Sequence, residues 1–475
     1  MEDLRKRRSL APGREGGAGG RPLASGAAPA SPGQVAARRS ARVLALLAAL
    51  ASAPAARAEE PEPPPAPELP AVLTLHRALE IFRERGFDLL VAEATVRSAE
   101  GDLAIARGVA NPGLSGALGK NWDCAAGQDC SVLSYSVGIE DNAILSTFAT
   151  GKYGLRVDVA ASALAAARKS RDDAQRTLEF QLKQSYISAL QTQALLDNAV
   201  ETRDSYLRTR QLNERRFALG AMNEGDLATI QVAELEAEQA VDQARQNLRT
   251  AKVSVAFLLG FRTLIPDFPI EGKELDFAVP PALARGTRES LLKVAMEQRP
   301  DLRALVAQEK RADAGLSLAK RNRVPDFGLS ATYSANGAGN SNISPPNLTV
   351  GLSFTLPVFY FQGGEIEKAE ADLTTQRVLR EKAEAAVVSD LETAWAQVAA
   401  SRQLVERMEK TLLERARKAR DIVEVQYEKG AASLLDLLNA QRTYTATRAE
   451  YAGDLATYWT SVALLEQAVA GELRP

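Results

Sequence analysis

The sequence predicts a mainly α-helical protein with a smaller β-barrel portion, built as two tandem repeats. First, residues 347–356 alternate strictly between apolar and small polar side chains, which is typical of a strand with different surroundings on its two faces. Second, after Gly363 and Gly364 the apolar period changes from two to about 3.5 and stays there for roughly sixty residues, which predicts a very long helix. Third, this succession of strand, turn and long helix occurs twice in the chain.

The N-terminal segment predicts export rather than a folded element. The basic stretch 38–42 precedes the apolar run 43–50, and residues 56–58 spell Ala-Arg-Ala. This is the pattern of a secretory signal peptide with its cleavage site, so we expect residues 1–58 to be a leader and signal peptide. A disordered Ala-rich leader that targets nothing is the alternative. Residues 59–72, rich in Pro and Glu, are expected to be an extended linker.

Composition argues against several classes of function. The 58 basic and 60 acidic residues nearly balance, which gives no support for binding nucleic acid. One histidine, His76, and two cysteines are poor material for a metal site, a cofactor site or a nucleophilic triad, so an enzyme is not expected. After the signal peptide no run reaches the ~18 apolar residues of a membrane-spanning helix.

The first repeat is expected to span residues 73–286. Asn111-Pro112 ends its first helix, and Gly220 interrupts its long helix. The predicted elements are a helix over 73–110, strands over about 113–122 and 131–140, a long helix over about 155–219, and a further helix over 226–259.

The second repeat, residues 287–475, follows the same plan, with Gly430 interrupting its long helix. The predicted elements are a helix over 289–323, strands over about 326–334 and 347–356, a long helix from about residue 365, and a last helix over 434–470. Equivalent residues keep a constant spacing of 213 positions at the strands and 210 at the helix interruptions. The pairs are Pro112 and Pro325, Gly138 and Gly351, Gly151 and Gly364, then Gly220 and Gly430, Asp226 and Asp436. This shared register indicates duplication.

The second long helix carries a coiled-coil seam at heptad a and d positions. The predicted seam comprises Val387, Leu391, Ala394, Val398, Ser401, Val405, Met408 and Leu412. A structural or adhesive periplasmic coiled coil without a pore is therefore the alternative from another class. Four amphipathic strands argue against it, because a coiled coil has no use for them.

The apolar faces of the four strands are expected to contact lipid, while Ser, Thr and Gly on the other faces suit water. The predicted lipid-facing residues are Leu133, Val137, Ile139, Phe327, Leu329, Leu348, Val350, Leu352 and Phe354. In lipid, each unpaired backbone group at an open sheet edge costs several kcal/mol, so four strands must be completed by other chains. Two chains would supply eight strands and three would supply twelve, and both are even numbers found in outer-membrane barrels.

Two segments give the chain a specific resemblance. The segment 350–373, VGLSFTLPVFYFQGGEIEKAEADL, and the segment 427–441, YEKGAASLLDLLNAQ, resemble the TolC family of outer membrane efflux proteins. The run LPVFYFQGGEIEKAEA is most similar to the CzcC-type heavy-metal branch. The resemblance covers residues 73–471.

The resemblance implies a homotrimer with a twelve-stranded barrel in the outer membrane and a long α-helical barrel across the periplasm. It implies a passive conduit for drugs or heavy-metal cations, without catalysis. It also implies docking of a periplasmic adaptor (membrane fusion) protein and of an inner-membrane pump, often of the RND class. A type I protein secretion channel has the same fold and stays an alternative.

The resemblance also places a gated aperture at the periplasmic tips. Asp436 matches an acidic aperture position, Asn439 stands where some relatives carry a second acid, and Asp226 is the counterpart in the first repeat. Capping of a helix N-terminus explains each Asp equally well. Gly220 and Gly430 are expected to provide the positive φ that a helix reversal needs, and to mark the tips where the adaptor docks.

Cys124 and Cys130 lie in the loop between the first two strands. Because the protein is expected to be exported and these are its two cysteines, we expect a disulfide between them. Its loop is short, so its stabilisation is expected to be modest. Thiol titration of the unfolded, unreduced protein should then find no free thiol.

Overall fold

The computed structural model describes residues 71–120, 133–271, 275–336 and 346–473. Of these, residues 71–118, 135–271, 275–334 and 347–473 form one compact unit, and the others, at strand ends, fall in a second one. The expected signal peptide and disulfide lie outside the described residues and stay predictions.

The first repeat contains two strands and a hairpin of long helices. Its elements are α1 (Leu75–Arg85), α2 (Phe87–Arg107), β1 (Gly113–Lys120), β2 (Leu133–Glu140), α3 (Ile144–Ala149), α4 (Lys152–Ala218) and α5 (Glu224–Leu258). Helix α4 has 67 residues and is therefore ~100 Å long.

A short helix, α6 (Pro281–Arg285), ends the first repeat. The second repeat follows the same plan without a counterpart of α3. Its elements are α7 (Arg288–Gln298), α8 (Pro300–Arg321), β3 (Phe327–Asn336), β4 (Asn347–Phe354), α9 (Gly363–Arg407), a π turn (Met408–Leu412), α10 (Leu413–Glu428) and α11 (Leu434–Val469). In the described residues no helix combines the length and the apolar character needed to cross a membrane.

Two helices that the sequence predicts as continuous are each broken once. The break residues are Gly86 and Arg299, and their φ and ψ angles are nearly the same, −56° and 122° against −58° and 123°. Arg299 precedes Pro300, which disfavours the α conformation. At Gly86 an added Cβ would lie 2.6 Å from the Phe82 ring, so the chain passes too close for a side chain. The predictions of single helices over 73–110 and 289–323 are wrong at these positions.

The four strands form one sheet in the order β1-β2-β3-β4. Strands β3 and β4 are antiparallel, with Phe327 opposite Phe354 and Gly351 opposite Ser330. The repeats meet where the Asp141 amide, just after β2, donates to the Leu329 carbonyl at 2.8 Å. The prediction of long helices with a four-stranded sheet is confirmed.

The π turn compensates for a difference in length between the repeats. Gly151 and Gly220 are three residues further apart in sequence than Gly364 and Gly430. Three residues turn an α-helix by ~300°, about 60° short of a full turn. A π turn holds one more residue per hydrogen-bonded turn and absorbs such a mismatch. It also rotates Leu412 off the predicted seam, where it is 45% exposed, so that part of the seam prediction is wrong.

The rest of the predicted seam is buried. From Val387 to Met408 the predicted seam side chains are at most 5% exposed. Most of them belong to a core in which Tyr186 donates to the Leu73 carbonyl at 2.8 Å and Tyr458 to the Ala278 carbonyl at 3.0 Å. Val387 instead packs in a smaller cluster. Both hydroxyls thereby satisfy backbone groups of the segments that flank the hairpins.

Candidate functional site

The two hairpins end in the same backbone motif. Gly220 has φ of 71° and Gly430 has φ of 75°, the left-handed conformation expected at these reversals. The Gly220 amide donates to the Phe217 carbonyl at 2.9 Å, and the Gly430 amide donates to the Tyr427 carbonyl at 3.1 Å. Around the Cβ position of either glycine there is open space in the described residues. The tip backbone is thus accessible to a partner.

Both predicted aperture aspartates lie at the third residue of the helix that follows the turn, where they take part in capping. The Asp436 amide donates to Ser433 Oγ at 3.1 Å, and Ser433 Oγ donates to Asp436 Oδ2 at 2.6 Å. In the first repeat the Asp226 amide donates to Asn223 Oδ1 at 2.8 Å, and Asn223 Nδ2 donates to Asp226 Oδ2 at 2.7 Å. Capping therefore accounts for both positions locally.

The capped carboxylates remain open to solvent. The side-chain hydrogen bond from Ser433 lowers the pKa of the exposed Asp436, so the group stays ionised at neutral pH. Asn439, one turn further along α11, is exposed as well. The geometry is compatible with a charged aperture, and the aperture role of Asp226, Asp436 and Asn439 stays a prediction.

A polar contact that sequence reasoning missed joins the tips of the two repeats. Tyr427 is 5% exposed and donates its hydroxyl to Asn213 Oδ1. Arg216 donates to the carbonyls of Tyr427 and Glu428 at 3.2 and 2.9 Å, and its guanidinium lies 4.9 Å from the centre of the Tyr427 ring. Arg216 of the first repeat thus satisfies terminal carbonyls of α10 in the second. The available signal was that Tyr427 is equivalent to Phe217, which lacks the hydroxyl.

Beneath this contact the tips share one small apolar core. The first repeat contributes Tyr206, Ile230, Ala233 and Ala237, and the second contributes Tyr427, Leu434, Leu437 and Leu438. Each of these side chains is at most 7% exposed. The two tips of one chain are therefore held together by both apolar burial and hydrogen bonds.

The sheet has two chemically different faces. The predicted lipid-facing residues other than Phe327 are exposed, and Phe327 is half-buried against Phe354, with ring centres 6.3 Å apart. On the other face, glycines lie opposite serines. Ser330 Oγ donates to the Gly351 carbonyl at 3.5 Å, and Ser353 Oγ donates to the Gly328 carbonyl at 3.4 Å. One face is therefore apolar and open, and the other carries small hydroxyl side chains, although its contact with lipid stays a prediction.

A half-buried ion pair joins the sheet to the helices. Lys152 Nζ, at the start of α4, lies 2.9 Å from Asp326 Oδ1 and donates to the Val324 carbonyl at 2.8 Å. Ser146 Oγ also donates to Asp326 at 2.9 Å. The long helix of the first repeat is thus fixed to the entrance of β3 in the second.

Together, the sheet with one apolar face and the duplicated hairpins of long helices define a protein of the TolC fold, with a β portion suited to lipid. Both repeats match the outer membrane efflux protein family, over residues 78–261 and 291–471, and the chain belongs to that family. The resemblance noted in the sequence is therefore confirmed.

Two curated relatives are similar over most of the chain. The cobalt-zinc-cadmium resistance protein CzcC of Cupriavidus metallidurans is 25% identical over 404 residues, covering 83% of this chain and 89% of that protein. The pyoverdine export outer membrane protein OpmQ of Pseudomonas aeruginosa is 26% identical over 403 residues, covering 79% and 81%. A solved structure of CusC has a TM-score of 0.69 at 17% identity and covers 88% of this chain and 100% of that one, which supports the fold.

Proposed function

We propose that this protein is the outer membrane channel of a tripartite efflux system, a passive conduit from an inner-membrane pump and periplasmic adaptor to the cell exterior. The observation that carries the proposal is the four-stranded sheet, in which β1 and β4 are the edges and one face is apolar and exposed. In lipid such edges must be paired, and a homotrimer pairs them in a twelve-stranded barrel.

The helical hairpins supply the periplasmic part of the conduit. Because α4 is ~100 Å long and leads from the sheet to the tip, the tips lie far from the sheet, where an adaptor can reach them. Three copies of Asp436 around the axis would form a ring of negative charge able to attract cations. Asp226 and Asn439 are proposed to contribute to the same aperture.

The relatives support efflux but differ in cargo. CzcC is named for cobalt, zinc and cadmium resistance and OpmQ for pyoverdine export. We propose small solutes, heavy-metal cations or organic compounds, as cargo, with energy supplied by a pump of the RND class. No reaction is assigned to the chain.

Reconstitution tests the conduit directly. Native mass measurement of the detergent-solubilised protein should give three copies, and planar bilayers should show discrete conductance steps. A stable monomer without conductance would refute the barrel. Deletion of the gene should then sensitise its host to the cargo, with cobalt, zinc and cadmium compared against organic toxicants in parallel cultures.

Docking at the tips calls for a separate experiment. Gly430→Val places a β-branched side chain at a φ of 75°, where such residues are strained, and fills open space at the tip. It should impair pump-dependent export while leaving the trimer assembled. Gly430→Asn is the matched control, because Asn tolerates this conformation far better. Normal export by the Val variant would contradict docking at this turn.

A further inference from the structure

The duplication allows the contact between neighbouring copies to be derived from a contact already present within one chain. Near the tips each residue of the first repeat has its counterpart 210 positions later. Contacts inside the two hairpins obey this rule. Arg210 Nε lies 2.5 Å from Glu234 Oε2, and the equivalent Arg420 lies 4.4 Å from the centre of the equivalent Tyr444 ring. The two hairpins therefore have matching internal geometry.

The contact between the repeats is of the head-to-tail kind. The α4 side of the first repeat faces the α11 side of the second, so the two repeats use different surfaces. In a head-to-tail contact two different surfaces meet, so each of the two repeats keeps one surface that has no partner within the chain. Further copies can add to these surfaces by the same contact, and the assembly closes into a ring when the rotation between neighbours permits. The sheet is arranged in the same way. Strands β2 and β3 pair between the repeats, while β1 and β4 remain as unpaired edges among the described strands. The unoccupied surfaces lie on α10 with the π turn, on α5, and at the Phe217 end of α4.

The counterparts of the polar contacts between repeats are mostly apolar. Thr202 Oγ1 and Thr445 Oγ1 are 2.9 Å apart within the chain. The residues 210 positions away from them are Leu412, 45% exposed, and Leu235, 59% exposed. A pair that is hydrogen-bonded inside the chain thus corresponds to two exposed leucines outside it.

At the tip, too, residues that are polar within the chain correspond to apolar residues outside it. The Asn213 and Tyr427 pair corresponds to Val423 and Phe217. Phe217 is 42% exposed, whereas Val423 is half-buried against the apolar core of the tips. Arg216, which caps α10 within the chain, corresponds to the exposed Gln426. Neither the phenol hydroxyl nor the guanidinium has an equivalent on the unoccupied surfaces.

We infer that the partner of these surfaces is a second copy of this chain, with Leu412 of one copy packed on Leu235 of the next and the exposed Phe217 ring buried at the same seam. The inference rests on the proposed homotrimer and adds which residues form its helical seam. The seam between copies is apolar at the positions where the seam within a copy is polar. Exposed leucines at these positions are then explained by burial against the neighbouring copy.

Paired cysteines test the seam. In a background lacking Cys124 and Cys130, the pair Leu235→Cys and Leu412→Cys should cross-link on mild oxidation into covalent dimers and trimers on a non-reducing denaturing gel. The matched pair Thr202→Cys and Thr445→Cys should lose its free thiols yet run as a single chain. Either single-cysteine variant should remain uncross-linked.

The outcomes separate this inference from the proposed function. A trimer by native mass in which the Leu235 and Leu412 positions fail to cross-link overturns the seam and leaves the channel standing. A monomer by native mass overturns both.

A charge substitution gives a second readout. Leu412→Arg should lose the trimer in native mass measurement. Val425→Arg should keep it, because Val425 is equivalent to the exposed Arg215, which lies off the contact between repeats. Equal trimer loss in both variants would contradict the inference.

Discussion

The two helical hairpins start from the same design and differ in the middle. In the first, α4 runs unbroken for 67 residues, and in the second the path from Gly364 to Gly430 is three residues shorter and contains a π turn. At the sheet and at the tip, however, the repeats coincide in strand position, glycine turn and capped aspartate. The two ends of each hairpin are therefore constrained. The middle of the long helix tolerates a change of length where a π turn restores the rotational position of the residues that follow.

The repeats differ chemically at the tip, where they touch each other, and at the helix break, where the second repeat makes contacts within itself. Tyr427 replaces Phe217, and Arg299 replaces Gly86, and in each case the second repeat gains a hydrogen-bonding group that reaches another element. Duplication supplied two equal surfaces, and Tyr427 made the contact inside the chain distinct. The following changes test that comparison, from the largest expected effect to the smallest.

The strands should respond alike in both repeats. Val137→Arg and Val350→Arg, at equivalent positions of β2 and β4, should each destabilise the assembled protein by about 2–4 kcal/mol, because they place a charge on the face proposed to contact lipid. Thr349→Arg, on the opposite face, should be tolerated and alter conductance. Unfolding in detergent or lipid vesicles measures the cost, and equal damage on both faces would contradict the assignment.

The helix break between α7 and α8 should depend more on polar contacts than the equivalent break at Gly86 in the first repeat. Arg299 is buried, with its guanidinium 2.6 Å from Asp301 and 2.9 Å from Asp390. Arg299→Ala should lower the free energy of unfolding by about 2–3 kcal/mol, less than for a fully buried pair because Asp390 is half exposed. Denaturant titration measures it. The control Arg288→Ala removes an exposed pair with Glu392 and should cost under about 1 kcal/mol.

Loss of one hydroxyl should loosen the tips. Tyr427→Phe removes the donor to Asn213, whose Nδ2 already has no hydrogen-bond partner among the described residues. The expected cost is about 1–2 kcal/mol, which native-state hydrogen exchange at α10 can resolve. The control Tyr333→Phe removes a hydroxyl from an exposed side chain of β3, outside the tips, and should leave the protection of α10 unchanged. If Tyr427→Phe left the hydrogen-exchange protection of α10 unchanged, this hydrogen bond would not contribute to the stability of the tips.

The smallest effect on stability is expected at the aspartates. Asp436→Asn keeps acceptor and donor atoms for Ser433 but removes the charge, so cation preference in planar bilayers should fall while the trimer persists. Asp226→Asn should act in the same direction. If both variants matched the wild type in conductance, cation selectivity and open probability, the two carboxylates would serve only to cap their helices.

The direction in which cation preference changes with pH follows from the pKa of Asp436. Because the hydrogen bond from Ser433 lowers the pKa of Asp436, the carboxylate stays charged through the neutral and mildly acidic range. Any stability that depends on this ionised cap is present above the unfolded pKa and is lost as the pH falls through the folded pKa. Cation preference should therefore persist at pH 5 and decline only below about pH 4. A decline centred near pH 6 would point to another group.

Much of this architecture could be predicted because it depends on local periodicity. The alternation in residues 347–356 and the glycines at 220 and 430 are local signals, and the structure has a strand and two turns there. The pairing of Tyr427 with Asn213 joins residues 214 positions apart, and neither residue belongs to a periodic pattern. The π turn has no residue signature of its own, although the change of spacing from 213 to 210 between the strands and the tips marks it. Pro300 was a usable signal for the break at Arg299.

The order of strands in the sheet also bears on how the chain folds. Each outer pair, β1 with β2 and β3 with β4, joins strands that are close in sequence, whereas β2 and β3 are separated by the whole first helical hairpin. Closing that long loop costs entropy before the pairing gains anything, so the outer pairs and α4 with α5 should form first and the central pairing late. Pulse-labelling hydrogen exchange during refolding would then protect the Asp141 amide, which bonds to Leu329, after the amides of α4. The duplication is therefore also expected to make the pairing between the repeats the slow step of folding.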